Sequence, residues 1–344
     1  MNNDIILQNA KRICAHVNLD PLSEATILVT GASGLKGTYF IACLRWLLEQ
    51  GNNIKVYPVI FSEPPPHFSE LVEHSGFEII KTNLADFNDY QRFPESDVII
   101  HAAGYAQPIL FMNDPISTLQ IHTSATVALL KRLRNNGHFL FLSSREIYSG
   151  LTNSPFSEND VGNTTPLHPR SSYIEGKRAG EAICFAYRSK GVHATSIRLG
   201  DIYGPGTRKH DKRAINSFIE KALALKKIEL LDSGSSVRTF CYVSDAVELM
   251  WKILLHGKKP LYNLGGYSTL NIAELAKLIA EIIDVPIVIP SDKNGVSGAP
   301  EDLRIDLTRV EKEFGKKEYI SIDEGLRATI EWQKFLYNSD LKTN

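Results

Sequence analysis

Short apolar runs alternate with longer stretches of helical spacing through the first 200 residues. Residues 26–30, 56–61, 97–101, 139–143 and 195–199 are nearly continuous in apolar and β-branched side chains, as strands buried on both faces must be. Amphipathic stretches separate several of them, and this rhythm predicts a parallel sheet wrapped by helices. Ahead of it, Ile5, Ile6, Ala10, Ile13 and Val17 recur at helical spacing, which predicts a helix leaning on the domain that follows. Past residue 200 the rhythm loosens into a Gly/Pro/charged stretch, 203–213, where a smaller lobe is expected to begin. Asn271 with Glu274 predicts a capped helix start, and Asp306 and Gly315 bracket a later one. Three consecutive prolines, Pro64 to Pro66, forbid a strand there.

Composition narrows the function classes. Lys and Arg (38) balance Asp and Glu (39), so no polyanion-binding or membrane-hugging surface is indicated, and neither nucleic acid nor a membrane is expected as partner. Cys14, Cys43, Cys184 and Cys241 form neither a disulfide framework nor a metal site, which fits a reducing cytoplasm.

Thr30-Gly31-Ala32-Ser33-Gly34-Leu35-Lys36-Gly37 follows the first strand and opens a helix, the context of a dinucleotide site. Gly31, Ser33, Gly34, Leu35 and Gly37 are the candidate phosphate cradle, where amides at a helix N-terminus hold anions. An acidic residue for the adenosine ribose belongs about 20 residues further on. The sequence there reads Val59-Ile60-Phe61-Ser62-Glu63, with no aligned Asp and no Arg for a 2′-phosphate, so NAD is the default and NADP stays open.

Ser143-Ser144 closes one strand, and Tyr173 and Lys177, four apart, share one face of the next helix. A Tyr is a weak base until a neighbouring ammonium favours its phenolate, which can then take a proton from a hydroxyl as hydride leaves. Ser144 can orient the same oxygen.

In this order the motifs resemble the extended short-chain dehydrogenase/reductases, specifically their sugar-nucleotide epimerase, dehydratase and decarboxylase group, from about Ala25 to Lys334. The resemblance implies an α/β fold: a Rossmann-type doubly wound parallel sheet with a smaller α/β C-terminal substrate lobe. Residues 1–24 form a helical extension, 25–200 the NAD-binding domain and 201–344 mainly the substrate lobe, with some segments returning to the main sheet. It implies cofactor contacts at Asn83, Leu84, Ala102, Ala103 and Gly104 as well as Tyr173 and Lys177, and substrate contacts at Arg145, Asp201, Arg213 and Arg238. It implies a homodimer, no metal, and a sugar nucleotide as substrate, oxidised at C4. Glu146 stands where dehydratases and decarboxylases carry a Glu near C5; Arg145 replaces the dehydratase acid, and Arg304 matches a decarboxylase Arg beside the sugar. Decarboxylation of UDP-glucuronate therefore leads, with 4-epimerisation and 4,6-dehydration as alternatives. A dinucleotide-binding sensor and a plain carbonyl reductase are the readings from other classes. Two departures stand out: His122 replaces an Asn, and Asp201 puts a carboxylate where a uronate would meet it unless it is paired.

Overall fold

The computed structural model describes residues 3–290, 302 and 304–338. The first part of the chain runs α1 (Asn3–His16), β1 (Thr26–Thr30), α2 (Leu35–Glu49), β2 (Lys55–Ile60), α3 (Pro66–Leu71), β3 (Ile80–Lys81), β4 (Ser96–His101), α4 (Pro108–Asn113), α5 (Pro115–His122), α6 (Ser124–Leu130), β5 (Leu133–Ser144), α7 (Ser171–Arg188) and β6 (His193–Leu199). It continues β7 (Asp201–Tyr203), α8 (Ala214–Leu225), β8 (Ile228–Glu229), β9 (Val237–Tyr242), α9 (Val243–His256), β10 (Leu261–Leu264), β11 (Ser268–Asn271), α10 (Ile272–Ile283), β12 (Ile287–Val288), α11 (Thr308–Phe314) and α12 (Ile322–Asn338).

Seven parallel strands form the main sheet in the order β10-β6-β5-β4-β1-β2-β3. The order reverses between β1 and β4, and in such sheets the crevice at the strands' C-terminal ends receives ligands. Thr30 is in register with Val59 on one side and His101 on the other. The expected short strands are all present. β5 begins earlier than its apolar run, because the polar residues 134–137 extend it across a register irregularity with β4, and Asn136 takes the left-handed conformation there.

The expected first helix forms, and Ile6, Ala10 and Ile13 enter the main core with α2 and α9. Asn9 on the same helix bonds the hydroxyls of Tyr39 and Tyr242, each at 3.2 Å. Beyond β6 a second core, including Ile215, Ile219, Phe240, Leu275 and Ile279, unites α8, α10 and the three-stranded sheet β11-β9-β7. α9 and β10 return to the main sheet. Asn271 and Glu274 close the expected capping box on α10, and Gly315 ends α11 in the left-handed conformation. No described helix is long and apolar enough to cross a membrane.

Candidate active site

β1 ends at Thr30, and the chain turns through Gly31 (φ +63°) into α2. A Cβ at Gly31 would stand 2.8 Å from the backbone of Ala102 and Ala103, and one at Gly37 2.3 Å from the Gly31 carbonyl, so the turn needs these glycines to pack. The N-cap, Gly34, has no side chain to cap the first turn of α2, which leaves its amides for an anion. The cavity in front of them is lined by Gly31, Ser33, Gly34, Leu35 and Gly37, by Asn83 and Leu84, and by Ala102, Ala103 and Gly104. All of these were expected cofactor contacts. Val59, Ile60 and Leu84 add an apolar wall suited to a flat base. The donor set and the walls fit a dinucleotide.

A second cavity, about 500 Å³, opens where β5 and β6 end and the smaller lobe begins. Ser144, Arg145, Glu146, Tyr173, Asp201, Arg213 and Arg238 line it, so the expected catalytic and substrate residues meet there, apart from Arg304 and Lys177. Lys177 lies behind, lining a narrow passage with Tyr173, Ser143 and Ala102. Arg304 is not brought to the cavity. Asp302, two residues earlier, grips its guanidinium at 2.9 and 3.1 Å with Ser154 alongside, and its side chain is 44% exposed.

Tyr173 stacks on Phe111 at 4.6 Å and rests edge-on against His122 at 5.8 Å. His122 is fully buried with neither ring nitrogen bonded, and burial, then the charge of Lys177, holds its pKa far below the usual range. It is a neutral wedge. A Cβ at Gly104 would come within 2.5 Å of its ring, so this imidazole requires that glycine, and one at Gly176 would press it at 3.3 Å. The side-chain hydrogen bonds that an Asn could make are absent from this position among the described residues.

Burial pushes the Tyr173 hydroxyl up to about 12, against a hydrogen bond from Ser144. This is opposite to the depression expected from Lys177, and the reason is geometric. The ammonium is 5.7 Å from the ring centroid and donates at 2.6 Å to the Leu142 carbonyl. Burial, then the nearby charge of Lys36, pulls Lys177 down to about 7.

Two ion pairs organise the second cavity. Arg145 meets Asp201 at 2.8 Å, so the two least typical residues of the sequence are partners. Arg170 grips Glu146 through two bonds of 2.7 and 3.0 Å. Arg145 uses only Nη2 on Asp201; no protein hydrogen bond engages its Nε or Nη1 among the described residues. Arg213 is half-buried and held by Asp211 at 2.6 Å. Burial, then the charge of Arg145, pulls the Arg238 guanidinium below its ordinary range.

Three residues of the site escaped the sequence reading. Lys36 lines both cavities and the passage between them, and burial, then Arg213, pulls it down to about 8. Its signal was a charge inside the glycine turn. Arg170 had a signal only in the run Pro169-Arg170-Ser171-Ser172-Tyr173, which resembles that of the decarboxylases but marks no role for this residue. Arg208, at the cofactor cavity, belongs to the irregular stretch after β7 and could be placed only by the fold.

Residues 27–265 match the model of the NAD dependent epimerase/dehydratase family. A UDP-glucuronic acid decarboxylase 6 of Arabidopsis thaliana is 28% identical over 306 residues, 88% of this chain and 87% of that one. A UDP-glucuronic acid decarboxylase 1 of Xenopus tropicalis is 29% identical over 308 residues, 89% and 71% of the respective chains. Among solved structures, a Bacillus cereus UDP-glucuronic acid 4-epimerase in complex with UDP-glucuronic acid and NAD superposes with a TM-score of 0.76 at 22% identity, covering 91% of this chain and 100% of that one. An epimerase of Methanothermobacter thermautotrophicus does so with 0.78 at 19%, covering 99% of each. At these identities the superpositions establish the fold.

Proposed function

The chain belongs to the NAD-dependent epimerase/dehydratase family, and from that premise we propose that it is an NAD-dependent sugar-nucleotide enzyme, most like a UDP-glucuronate decarboxylase. NAD, when bound, supplies the acceptor and later the donor of a hydride. The protein handles the proton. Tyr173, as its phenolate, takes it from the sugar C4 hydroxyl and becomes neutral, Ser144 orients that oxygen, and the Lys177 ammonium favours the phenolate before the transfer. Oxidation at C4 turns a C6 carboxylate into a β-keto acid. The C5–C6 bond can then break with its electron pair moving toward the carbonyl, carbon dioxide leaves, C5 takes a proton, and the ketone is reduced again.

The observation that carries this reading is the charge of the second cavity. Among the described residues that line it, Lys36, Arg145, Arg170, Lys212, Arg213 and Arg238 outnumber Glu146 and Asp201, although Asp211 pairs with Arg213 and Glu220 with Lys212. A diphosphate and a uronate carboxylate together suit that excess. Asp201 does not stand alone against the carboxylate, since Arg145 pairs it and keeps donors to spare. Decarboxylation is favoured over dehydration because Arg145 cannot act as an acid. Glu146, tied on both oxygens to Arg170, is also poorly placed to take a C5 proton. We assign substrate contact to Arg145, Arg213 and Arg238, and no role at the sugar to Arg304.

Incubation with UDP-glucuronate tests the reading. Release of carbon dioxide with formation of a pentose nucleotide is expected; consumption without carbon dioxide overturns it, and an unchanged product mass or loss of water would point to epimerisation or dehydration. The same reading divides the chain into a cofactor domain and a substrate lobe near residue 200. It places the enzyme in a reducing cytoplasm, supported by its free thiols, and makes it a homodimer through α5 and α7, which leave Ile116 and Phe185 65% and 61% exposed.

A further inference from the structure

The cofactor cavity holds a feature that the proposed reaction does not use. A dinucleotide site selective for an unphosphorylated ribose normally carries a carboxylate at the end of the second strand, and one for a 2′-phosphate carries an Arg. Here β2 ends at Ile60, followed by Phe61 and Ser62, both lining the cavity. The nearby carboxylate, Glu63, does not line it and is paired with Lys81 on β3. Arg208 comes in from the other lobe. Its guanidinium donates to Ser33 Oγ at 2.9 Å and to Ser62 Oγ at 3.1 Å, bridging the glycine turn and the end of β2. Both of its partners are hydroxyls, and no carboxylate pairs with it among the described residues.

This position is held in place. The indole of Trp332 on α12 donates to the Thr207 carbonyl at 2.9 Å, and Gln333 donates to the Thr207 hydroxyl at 2.8 Å, so the residue before Arg208 is anchored to a helix. A guanidinium flanked by two hydroxyls presents the donors a phosphate dianion accepts, and a ribose hydroxyl gives it no charge to meet. We propose that Ser33, Ser62 and Arg208 form a site for the 2′-phosphate of NADP, so that the cavity takes NADP as well as NAD. The assignment rests on the dinucleotide cavity of the proposed function and not on the reaction at the sugar.

Calorimetric titration of the full chain with NADP and with NAD, no sugar nucleotide present, tests it. NADP is expected to bind at least as tightly as NAD. Arg208→Ala should weaken NADP relative to NAD by about tenfold or more, the cost of a charge-assisted hydrogen bond, and Ser62→Asp, which sets a carboxylate against the phosphate, should shift the ratio the same way. Retained NAD binding reports an intact fold in each variant, and if one fails to fold the other decides. Weaker binding of NADP than NAD by the unaltered protein, or a smaller change in the ratio, overturns the site; equal loss of both ligands would assign Arg208 to the shared pyrophosphate. Binding of neither removes the cavity reading and the proposed function together, whereas failure of the decarboxylation assay alone leaves this site untouched.

Discussion

Arg145 and Asp201 lie 56 residues apart, and each looks misplaced until the other is seen. Removing one partner of such a half-buried pair leaves the other uncompensated. Arg145→Ala should therefore lower kcat/KM for UDP-glucuronate more than loss of one contact explains, by about a hundredfold on the scale of buried charged hydrogen bonds, and Arg145→Ala with Asp201→Asn should recover part of the loss. Tyr173→Phe keeps the ring on Phe111 but removes the proton acceptor, and turnover is expected to fall by about 10²–10⁴-fold with dinucleotide binding unchanged in titrations. Lys177 has a stability signature of its own. Its folded pKa of about 7 lies below its ordinary 10.5, so between those values the unfolded chain holds the extra proton and stability rises with pH across the window. Below it the full penalty of burying the ammonium is present. Lys177→Met should raise the melting temperature at about pH 6, by about 2 °C or more, and do so least at about pH 10, while abolishing turnover.

Among the elements, those with apolar runs or end signals could be read from sequence, and those without could not. Ile6, Ala10 and Ile13 announce α1, and the capping box announces α10. Asn271→Ala should cost about 1 kcal/mol in denaturant unfolding, since it frees the Glu274 amide at the start of α10. Arg134, Asn135 and Asn136 near the start of β5 are polar, and that part of the strand was invisible to an apolar-run criterion. Pairing between distant side chains was mostly hidden: Arg145 and Asp201 could be read as partners, but nothing near Glu146 specifies that Arg170 will grip it, and Asp302, only two residues before Arg304, gave no sign that it would hold that guanidinium outside the cavity. The motif positions at strand ends and in the glycine turn were predictable because backbone geometry dictates them locally.

For the whole molecule, the sheet order and the cleft at its C-terminal edge follow from the strand–helix rhythm, while the wall contributed by residues 204–213 depends on how the lobe returns over the cleft. Burial also sets the acid limit of the fold. His101 and His67 are pulled down to about 3 and 4, first by burial, and His122 lies lower than their ordinary 6.5 as well. Between those values and 6.5 the unfolded chain binds more protons, so stability falls as pH drops below 6.5. The denaturant midpoint should decline from pH 6.5 toward about 4, and a flat profile would show that these imidazoles are not buried as neutral wedges.

Lys36 and Arg213 each face both cavities. One set of positive charge thus serves two anionic ligands, and the two affinities form a linked equilibrium: whatever factor a bound sugar nucleotide imposes on the dinucleotide, the dinucleotide imposes in return. Both anions draw on that one set of charge, so a change at Lys36 or Arg213 reaches both affinities together.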